Sequence, residues 1–141
     1  MSRIYWDTML FIYLLEDHPQ HIHRVRQLLK QSYDRGDSLY SSYLGLGELM
    51  AGVRKTSSAA DASEIRETLG EMGFVFLPFD DRAVLPFSRL RSVEKLKVGD
   101  AIHLACAASA GIDLFLTGDR QLLNRYVPGV QFIADFYNPV L

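Results

Sequence analysis

The chain has 141 residues and a formal net charge of −2, and 48% of its residues are hydrophobic against 23% charged, which is ordinary for one globular domain. These values argue against a disordered or fibrous protein and against a nucleic-acid binder that relies on bulk positive charge. Neither a signal peptide nor a membrane span is visible, and the single cysteine, Cys106, fits a reducing compartment. We therefore predict one domain over residues 1–141 in the cytoplasm.

The first half of the chain is predicted to alternate strands with helices. Its elements are a strand over residues 2–6, a helix over 9–15, a second helix opened by Pro19 and closed by Gly36, a strand over 38–41, and a third helix that Ser42 caps and that runs to about Lys55. β-Branched and aromatic residues favour the strands. Proline is tolerated in a first helical turn, and glycine readily adopts the left-handed conformation that ends a helix.

The second half continues the alternation. Its elements are a helix over residues 59–72, a strand over 74–77, a helix capped by Asp80 and Asp81 that runs through Arg91, an alanine-rich helix from Gly99 to Gly111, a strand over 112–116, a short helix over 120–126 and a strand over 130–133. Pro86 is expected to kink or break its helix. This alternation predicts right-handed crossovers and a mainly parallel sheet covered on both faces. The expected fold is a three-layer α/β/α sandwich.

Four acidic residues stand in apolar or tight-turn stretches where a soluble protein rarely places a charge. They are Asp7, Glu48, Asp100 and Asp119. Buried carboxylates are costly without a partner, and no Lys or Arg lies inside these apolar stretches. Because carboxylates are hard oxygen ligands that suit magnesium or manganese, we expect them to share a divalent cation.

The predicted sheet brings these acids to one edge. In open parallel sheets the functional crevice lies beyond the carboxyl ends of the strands. Asp7 and Asp119 each follow a predicted strand, and Asp100 opens a helix on the same side. The helix that holds Glu48 needs only to lean over the crevice. Each aspartate also has a structural interpretation, as a turn residue or a helix N-cap, but that does not explain why all of them lie at one edge.

Several segments together resemble the PIN-domain ribonucleases, and most closely the VapC-type toxins of toxin–antitoxin pairs. The resemblance rests on Asp7-Thr8 after an apolar strand, on Glu48 in Gly-Glu-Leu, on the segment from Val98 to Ala105, and on Leu116-Thr117-Gly118-Asp119. It implies an Mg²⁺- or Mn²⁺-dependent endoribonuclease, usually a homodimer, that an antitoxin silences by inserting a segment into the acidic site. Asp7, Glu48, Asp100 and Asp119 would be its catalytic, metal-binding quartet, with Thr8 and Thr117 as supporting hydroxyls.

One position departs from this family pattern. Met9 stands where the family commonly has Asn or Ser, and loss of a polar group that orients metal ligands would lower the rate. A catalytically weak module that binds RNA or a protein therefore stays open, and independently of Met9 so does a small-molecule phosphatase on a similar sheet. His103, one helical turn after Asp100, is interpreted as a core histidine or as a group that orients Asp100.

Two surface features bear on partners. Basic residues cluster in two segments, from Arg24 to Arg35 and from Arg82 to Lys97, and they would either track an RNA backbone or form solvated helix faces. The short apolar helix near the N-terminus carries more apolar surface than one sheet face needs, which predicts a homodimer. Its apolar residues are Met9, Leu10, Phe11, Tyr13 and Leu14.

Overall fold

The order of elements follows the predicted alternation. A computed structural model describes residues 1–54 and 59–138. Within these residues the chain forms β1 (Arg3–Trp6), α1 (Thr8–Leu15), α2 (Ile22–Arg35), β2 (Ser38–Ser42), α3 (Tyr43–Arg54), α4 (Ala59–Glu71), β3 (Phe74–Leu77), α5 (Asp81–Ser92), α6 (Val98–Ser109), β4 (Ile112–Thr117), a 3₁₀ turn (Arg120–Leu122) and β5 (Val130–Asp135). The predicted helix end near Lys55 lies outside the described residues.

The described strands pair in parallel, in the order β3-β2-β1-β4-β5. The chain moves outward from β1 to β3 and then returns to the other side of β1 with β4 and β5. The strand order therefore reverses between β1 and β4, and open parallel sheets bind ligands at such a switch point. Trp6 lies opposite Leu116 in the register, so the residues that follow these two strands are neighbours.

Two apolar layers cover the two faces of the sheet. Along β1, Ile4 and Trp6 enter one layer while Tyr5 enters the other, as the pleat of a strand requires. Helices α1–α4 build the first layer and α5 and α6 build the second, which confirms the predicted three-layer α/β/α sandwich. In the described parts of the chain, none of these helices is long and apolar enough to cross a lipid bilayer.

The start of α2 differs from the prediction, whereas its end agrees. Pro19 lies in a turn, and α2 begins three residues later, at Ile22. The carbonyl of His18 accepts hydrogen bonds from the N–H groups of His21 and Ile22, so the turn before the helix is closed locally. Gly36 ends α2 in the left-handed conformation, with φ of 73°, as the sequence predicts.

Two further elements correct the sequence analysis. Helix α5 continues from Asp81 to Ser92 with Pro86 inside it, so the proline does not break the helix, and the kink stays a prediction. Proline removes one backbone hydrogen bond there, and the buried side chains of Ala83 and Leu90 hold the helix against the sheet. The helix expected over residues 120–126 is a single 3₁₀ turn. The chain leaves helical geometry at Leu123, which is extended with ψ of 148°, and Asn124 follows with φ of 65°.

The apolar residues of α1 are more buried than the homodimer prediction assumes. Leu10 and Phe11 lie in the core between the sheet and α1–α4, and Tyr13 and Leu14 pack against that core. Of the five apolar residues named for this surface, Met9 alone is classed as exposed, at 42%. Leu10 and Phe11 are therefore used inside the domain, whereas Met9, Tyr13 and Leu14 keep part of their surface exposed, and the homodimer stays a prediction.

Candidate functional site

A cleft of about 380 Å³ lies at the carboxyl edge of the sheet, beside the switch point between β1 and β4. All four acids singled out in the sequence line it. The lining residues are Asp7, Thr8, Met9, Ile12, Glu48, Gly99, Asp100, His103 and Asp119. The structure thus brings together residues from α1, α3, α6 and the loop after β4.

Thr117 links the two aspartates that follow β1 and β4. Its buried hydroxyl donates to Oδ2 of Asp7 at 2.8 Å and accepts from the backbone N–H of Asp119 at 3.0 Å. Oδ1 of Asp7 also accepts from the N–H of Thr8, and Oδ1 of Asp119 accepts from the N–H of Gln121. Both aspartates therefore cap local turns as well as lining the cleft. Thr117 connects the residues that follow two neighbouring strands.

Asp100 has no such local role. It lies in the first turn of α6, but the residue before that helix is Lys97, and Asp100 does not serve as the N-cap. Its carboxylate makes no hydrogen bond with any residue that the structure describes. Burial, followed by the negative charges of Asp119 and Asp7, raises the pKa of Asp100 above its ordinary value. The N-cap interpretation is wrong, and the three aspartates are close enough to repel one another.

Glu48 leans over the cleft from α3. Its side chain is 44% exposed and lines the cleft, although the neighbouring residues in the sequence are mostly apolar. Oε1 of Glu48 accepts hydrogen bonds from Oγ1 of Thr8 at 2.9 Å and from Nε2 of His103 at 2.8 Å. The hydrogen bond from His103 is the main reason that the pKa of Glu48 lies below its ordinary value.

One of the two sequence-based interpretations of His103, a core histidine, is confirmed, whereas the other, a group that orients Asp100, names the wrong partner. His103 is buried, with 3% exposure, but it contacts Glu48 rather than Asp100. Its other ring nitrogen, Nδ1, lies 2.6 Å from the hydroxyl of Tyr5. The sequence signal was the spacing of one helical turn after Asp100, which puts both side chains on the same side of α6. Nothing in that spacing identifies Glu48 as the partner.

Gly45 allows α3 to approach these groups closely. A Cβ atom at this position would lie 2.8 Å from Oγ of Ser41 and 3.1 Å from Cε1 of His103, both closer than normal packing permits. Any side chain at Gly45 would therefore push α3 away from α6 and move Glu48 with it. The sequence-based interpretation that small residues in this helix serve close packing is correct at this position.

The donor atoms in the cleft fit a hard divalent cation. Four carboxylates supply oxygen ligands of the kind that magnesium and manganese prefer, and the raised pKa of Asp100 shows a repulsion that a cation would relieve. Nε2 of His103 lies 3.9 Å from Oδ1 of Asp7 and 2.8 Å from Oε1 of Glu48. Within residues 1–54 and 59–138, no three Asp, Glu, His or Cys side chains are close enough to enclose an ion as they are placed.

Solved structures with a similar fold include several toxin–antitoxin complexes. VapBC2 from Rickettsia felis, bound to a DNA fragment of its promoter, is 16% identical with a TM-score of 0.71, and the match covers 94% of this chain and 98% of the other. DNA-bound VapBC from Salmonella typhimurium is 21% identical with a TM-score of 0.71, covering 96% and 99%. VapBC-1 from nontypeable Haemophilus influenzae is 15% identical with a TM-score of 0.69, also covering 96% and 99%. At these identities the likeness shows the fold alone.

The sequence comparisons give the family. No significant match is found among curated proteins. The profile of the PIN domain, in contrast, matches residues 4–127, a span that begins in β1, ends just before β5 and includes all four cleft acids. The family resemblance inferred from the sequence is confirmed, and the chain belongs to the PIN domain family.

Proposed function

We propose that the protein is an Mg²⁺- or Mn²⁺-dependent endoribonuclease and the toxin of a toxin–antitoxin pair. The observation that carries the proposal is the meeting of Asp7, Glu48, Asp100 and Asp119 in one cleft beside the switch point of the sheet. Membership of the PIN domain family and the similarity in fold to VapBC complexes support it.

The side chains of the cleft would divide the work as follows. Asp7 and Asp100 would be the principal ligands, and Glu48 and Asp119 would hold a second ion or orient the attacking water. A bound divalent cation would neutralise charge on the phosphoryl oxygens and make a water molecule more acidic. Thr117 holds one oxygen of Asp7 in place through its hydrogen bond. Such support keeps ligand oxygens oriented before substrate arrives.

The two basic segments differ in how available their positive charges are for contact with RNA. On α2, Arg26 pairs with Asp17, and Lys30 pairs with Asp34, which favours the interpretation of α2 as a solvated helix face. Lys97, in contrast, stands directly before α6, is exposed, and lies near enough to lower the pKa of Asp100. We therefore assign the RNA backbone contact to the second segment, with Lys97 at the margin of the cleft.

The proposed antitoxin would cover the cleft and the groove beside it. That groove shares Ile12 with the cleft and continues between α1 and α3, where Leu15 and Leu49 line it. The structural neighbours include a toxin–antitoxin complex from Klebsiella pneumoniae. A partner segment with apolar residues for this groove and a basic residue for the acidic cleft would fit both surfaces. We also propose that the protein acts as a homodimer in the cytoplasm.

Cleavage of a mixed RNA pool by the purified protein tests the proposal. We expect cleavage with Mg²⁺ or Mn²⁺, none in excess EDTA, and recovery when the ion is restored. Asp100→Asn should abolish cleavage, whereas Asp81→Asn should not, because Asp81 is an exposed acid in the first turn of α5, outside the cleft. Full activity in EDTA would refute the metal mechanism. Turnover of small phosphate esters without RNA cleavage would favour a phosphatase.

A further inference from the structure

A buried hydrogen-bonded chain leads from the core of the domain to Glu48. Tyr5 in β1 is fully buried, and its hydroxyl lies 2.6 Å from Nδ1 of His103 in α6. Nε2 of the same ring lies 2.8 Å from Oε1 of Glu48 in α3. We propose that Tyr5 and His103 form a positioning relay that orients Glu48 for the reaction of the acidic cleft. This inference rests on the proposed function.

The groups at the two ends of the relay fix its direction. Burial raises the pKa of Tyr5 well above its usual value, so its hydroxyl keeps its proton. The carboxylate oxygen of Glu48 can only accept, so Nε2 of His103 is the donor to it. In a neutral ring Nδ1 then carries no proton and accepts from the hydroxyl of Tyr5.

In this arrangement the two carboxylate oxygens of Glu48 have different surroundings. Thr8 and His103 both donate to Oε1, which fixes the rotation of the carboxylate. Oε2 has no hydrogen bond to any part of the chain that the structure describes. It faces the start of α6, since it lies 3.9 Å from the place that a Cβ on Gly99 would occupy. The relay therefore leaves Oε2 on the side of Asp100, available to a cation or a water molecule.

The contacts of His103 indicate that it positions Glu48 and does not only fill space in the core. A core histidine would find both of its partners inside the core, whereas His103 directs one nitrogen to a carboxylate that is 44% exposed in the cleft. The carboxylate gains an anchor because Tyr5 and His103 come from a central strand and a packed helix and have little freedom to move. Outer partners of this kind typically change metal affinity or activity about 10- to 100-fold when removed.

Four variants test the relay. Tyr5→Phe removes only the hydroxyl, His103→Leu removes the donor to Glu48, and His103→Gln restores an N–H near the position of Nε2. Tyr40→Phe is the control, because it removes a tyrosine hydroxyl from the adjacent strand, where that hydroxyl contacts Arg3 rather than the cleft. Thermal melting confirms that each variant is folded. The first measurement is ¹⁵N NMR of the His103 imidazole in the metal-free protein. Calorimetric titration with Mn²⁺ follows, and then kcat and KM for RNA cleavage.

We expect the wild-type ring to carry its proton on Nε2, and Tyr5→Phe to weaken that preference. Mn²⁺ affinity should fall roughly 10-fold in His103→Leu, recover in part in His103→Gln, and stay unchanged in Tyr40→Phe. The change in RNA kinetics should be in kcat rather than KM. A folded His103→Leu variant with wild-type Mn²⁺ affinity, or a wild-type ring protonated on Nδ1 alone, would overturn the relay. A wild-type protein that binds no Mn²⁺ and cuts no RNA would instead refute the proposed function. The metal-free NMR would still show whether Nε2 of His103 carries the proton, and so would still test the relay.

Discussion

Nε2 of His103 lies 2.8 Å from Oε1 of Glu48, although 55 positions separate the two residues in the chain. This contact joins α6 to α3 across the carboxyl edge of the sheet, where the strand order reverses. Glu48 is the one cleft acid in the middle of a helix, and its anchor comes from the same helix that carries Asp100. The positions of these two acids are therefore coupled by one buried side chain.

Asp100→Asn should abolish RNA cleavage without lowering stability. Asparagine keeps the shape of the side chain but removes a charge that Asp119 and Asp7 repel. We expect a loss of more than ~100-fold in rate, since ~100-fold is the upper end of the effect of removing a group that only supports a metal ligand, and a melting temperature of the metal-free protein at pH 7 equal to or above that of the wild type. A stable variant that cuts RNA at the wild-type rate would remove Asp100 from the site.

The difference in melting temperature between Asp100→Asn and the wild type should depend on pH in a defined direction. Because the pKa of Asp100 is raised in the folded protein, its contribution to stability is fully present below its ordinary value of 3.8 and is lost as pH rises through the folded value. The melting-temperature advantage of Asp100→Asn over the wild type should therefore grow as pH rises above about 3.8 and then level off. Metal-free melting curves measured across this range check it, and an advantage that shrinks with pH would contradict it.

Met9→Asn should raise turnover with little effect on stability. Met9 is exposed and lines the cleft, and an exposed substitution typically changes stability by at most ~0.5 kcal/mol. An amide here can hydrogen-bond to the metal ligands or their water, and we expect a gain of up to ~10-fold in rate or metal affinity. Met9→Leu, which adds no polar group, is the control. A destabilised and no faster Met9→Asn variant would show that the cleft lacks room for a polar group.

Lys97→Ala should weaken RNA binding and reduce its dependence on salt. If Lys97 contacts a phosphate, its removal should lower the slope of log affinity against log salt by about 0.7, the value for one contact to a single strand. Binding is measured in EDTA so that RNA stays intact. Lys30→Ala is the control, since Lys30 is paired with Asp34, and it should leave the slope unchanged. An equal effect of both variants would mean that the charge acts through the general field of the protein.

Sedimentation should show a homodimer at micromolar concentration, and co-expression with the adjacent small reading frame should yield a stable complex. Leu10 and Phe11 of α1 are buried, but apolar side chains exposed elsewhere, such as Leu85 on α5 and Val93 directly after it, remain available. A partner that fills the acidic cleft should also block Mn²⁺ binding. Sedimentation as a monomer, together with no co-purifying partner, would count against both associations.

The sequence alone determined the layers of the fold and the edge where the site lies. Alternation of apolar strands with amphipathic helices depends on local periodicity, and it predicted the three-layer sandwich correctly. Because the carboxyl ends of parallel strands share one edge, the placement of Asp7 after β1 and of Asp119 after β4 followed from the order of elements. The end of α2 at Gly36 and the cap that Ser42 makes with the N–H of Gly45 were also local features.

Only the tertiary structure decided which side chains meet. The partner of His103 depends on how α3 and α6 cross, and the close approach at Gly45 that permits the crossing is a contact between elements distant in the chain. The burial of Leu10 and Phe11 likewise depends on packing that no local pattern specifies. Asp100 looked like an N-cap because capping residues and metal ligands share the same side chains. The free carboxylate and its repulsion by Asp7 and Asp119 became visible only when the strands and helices were assembled.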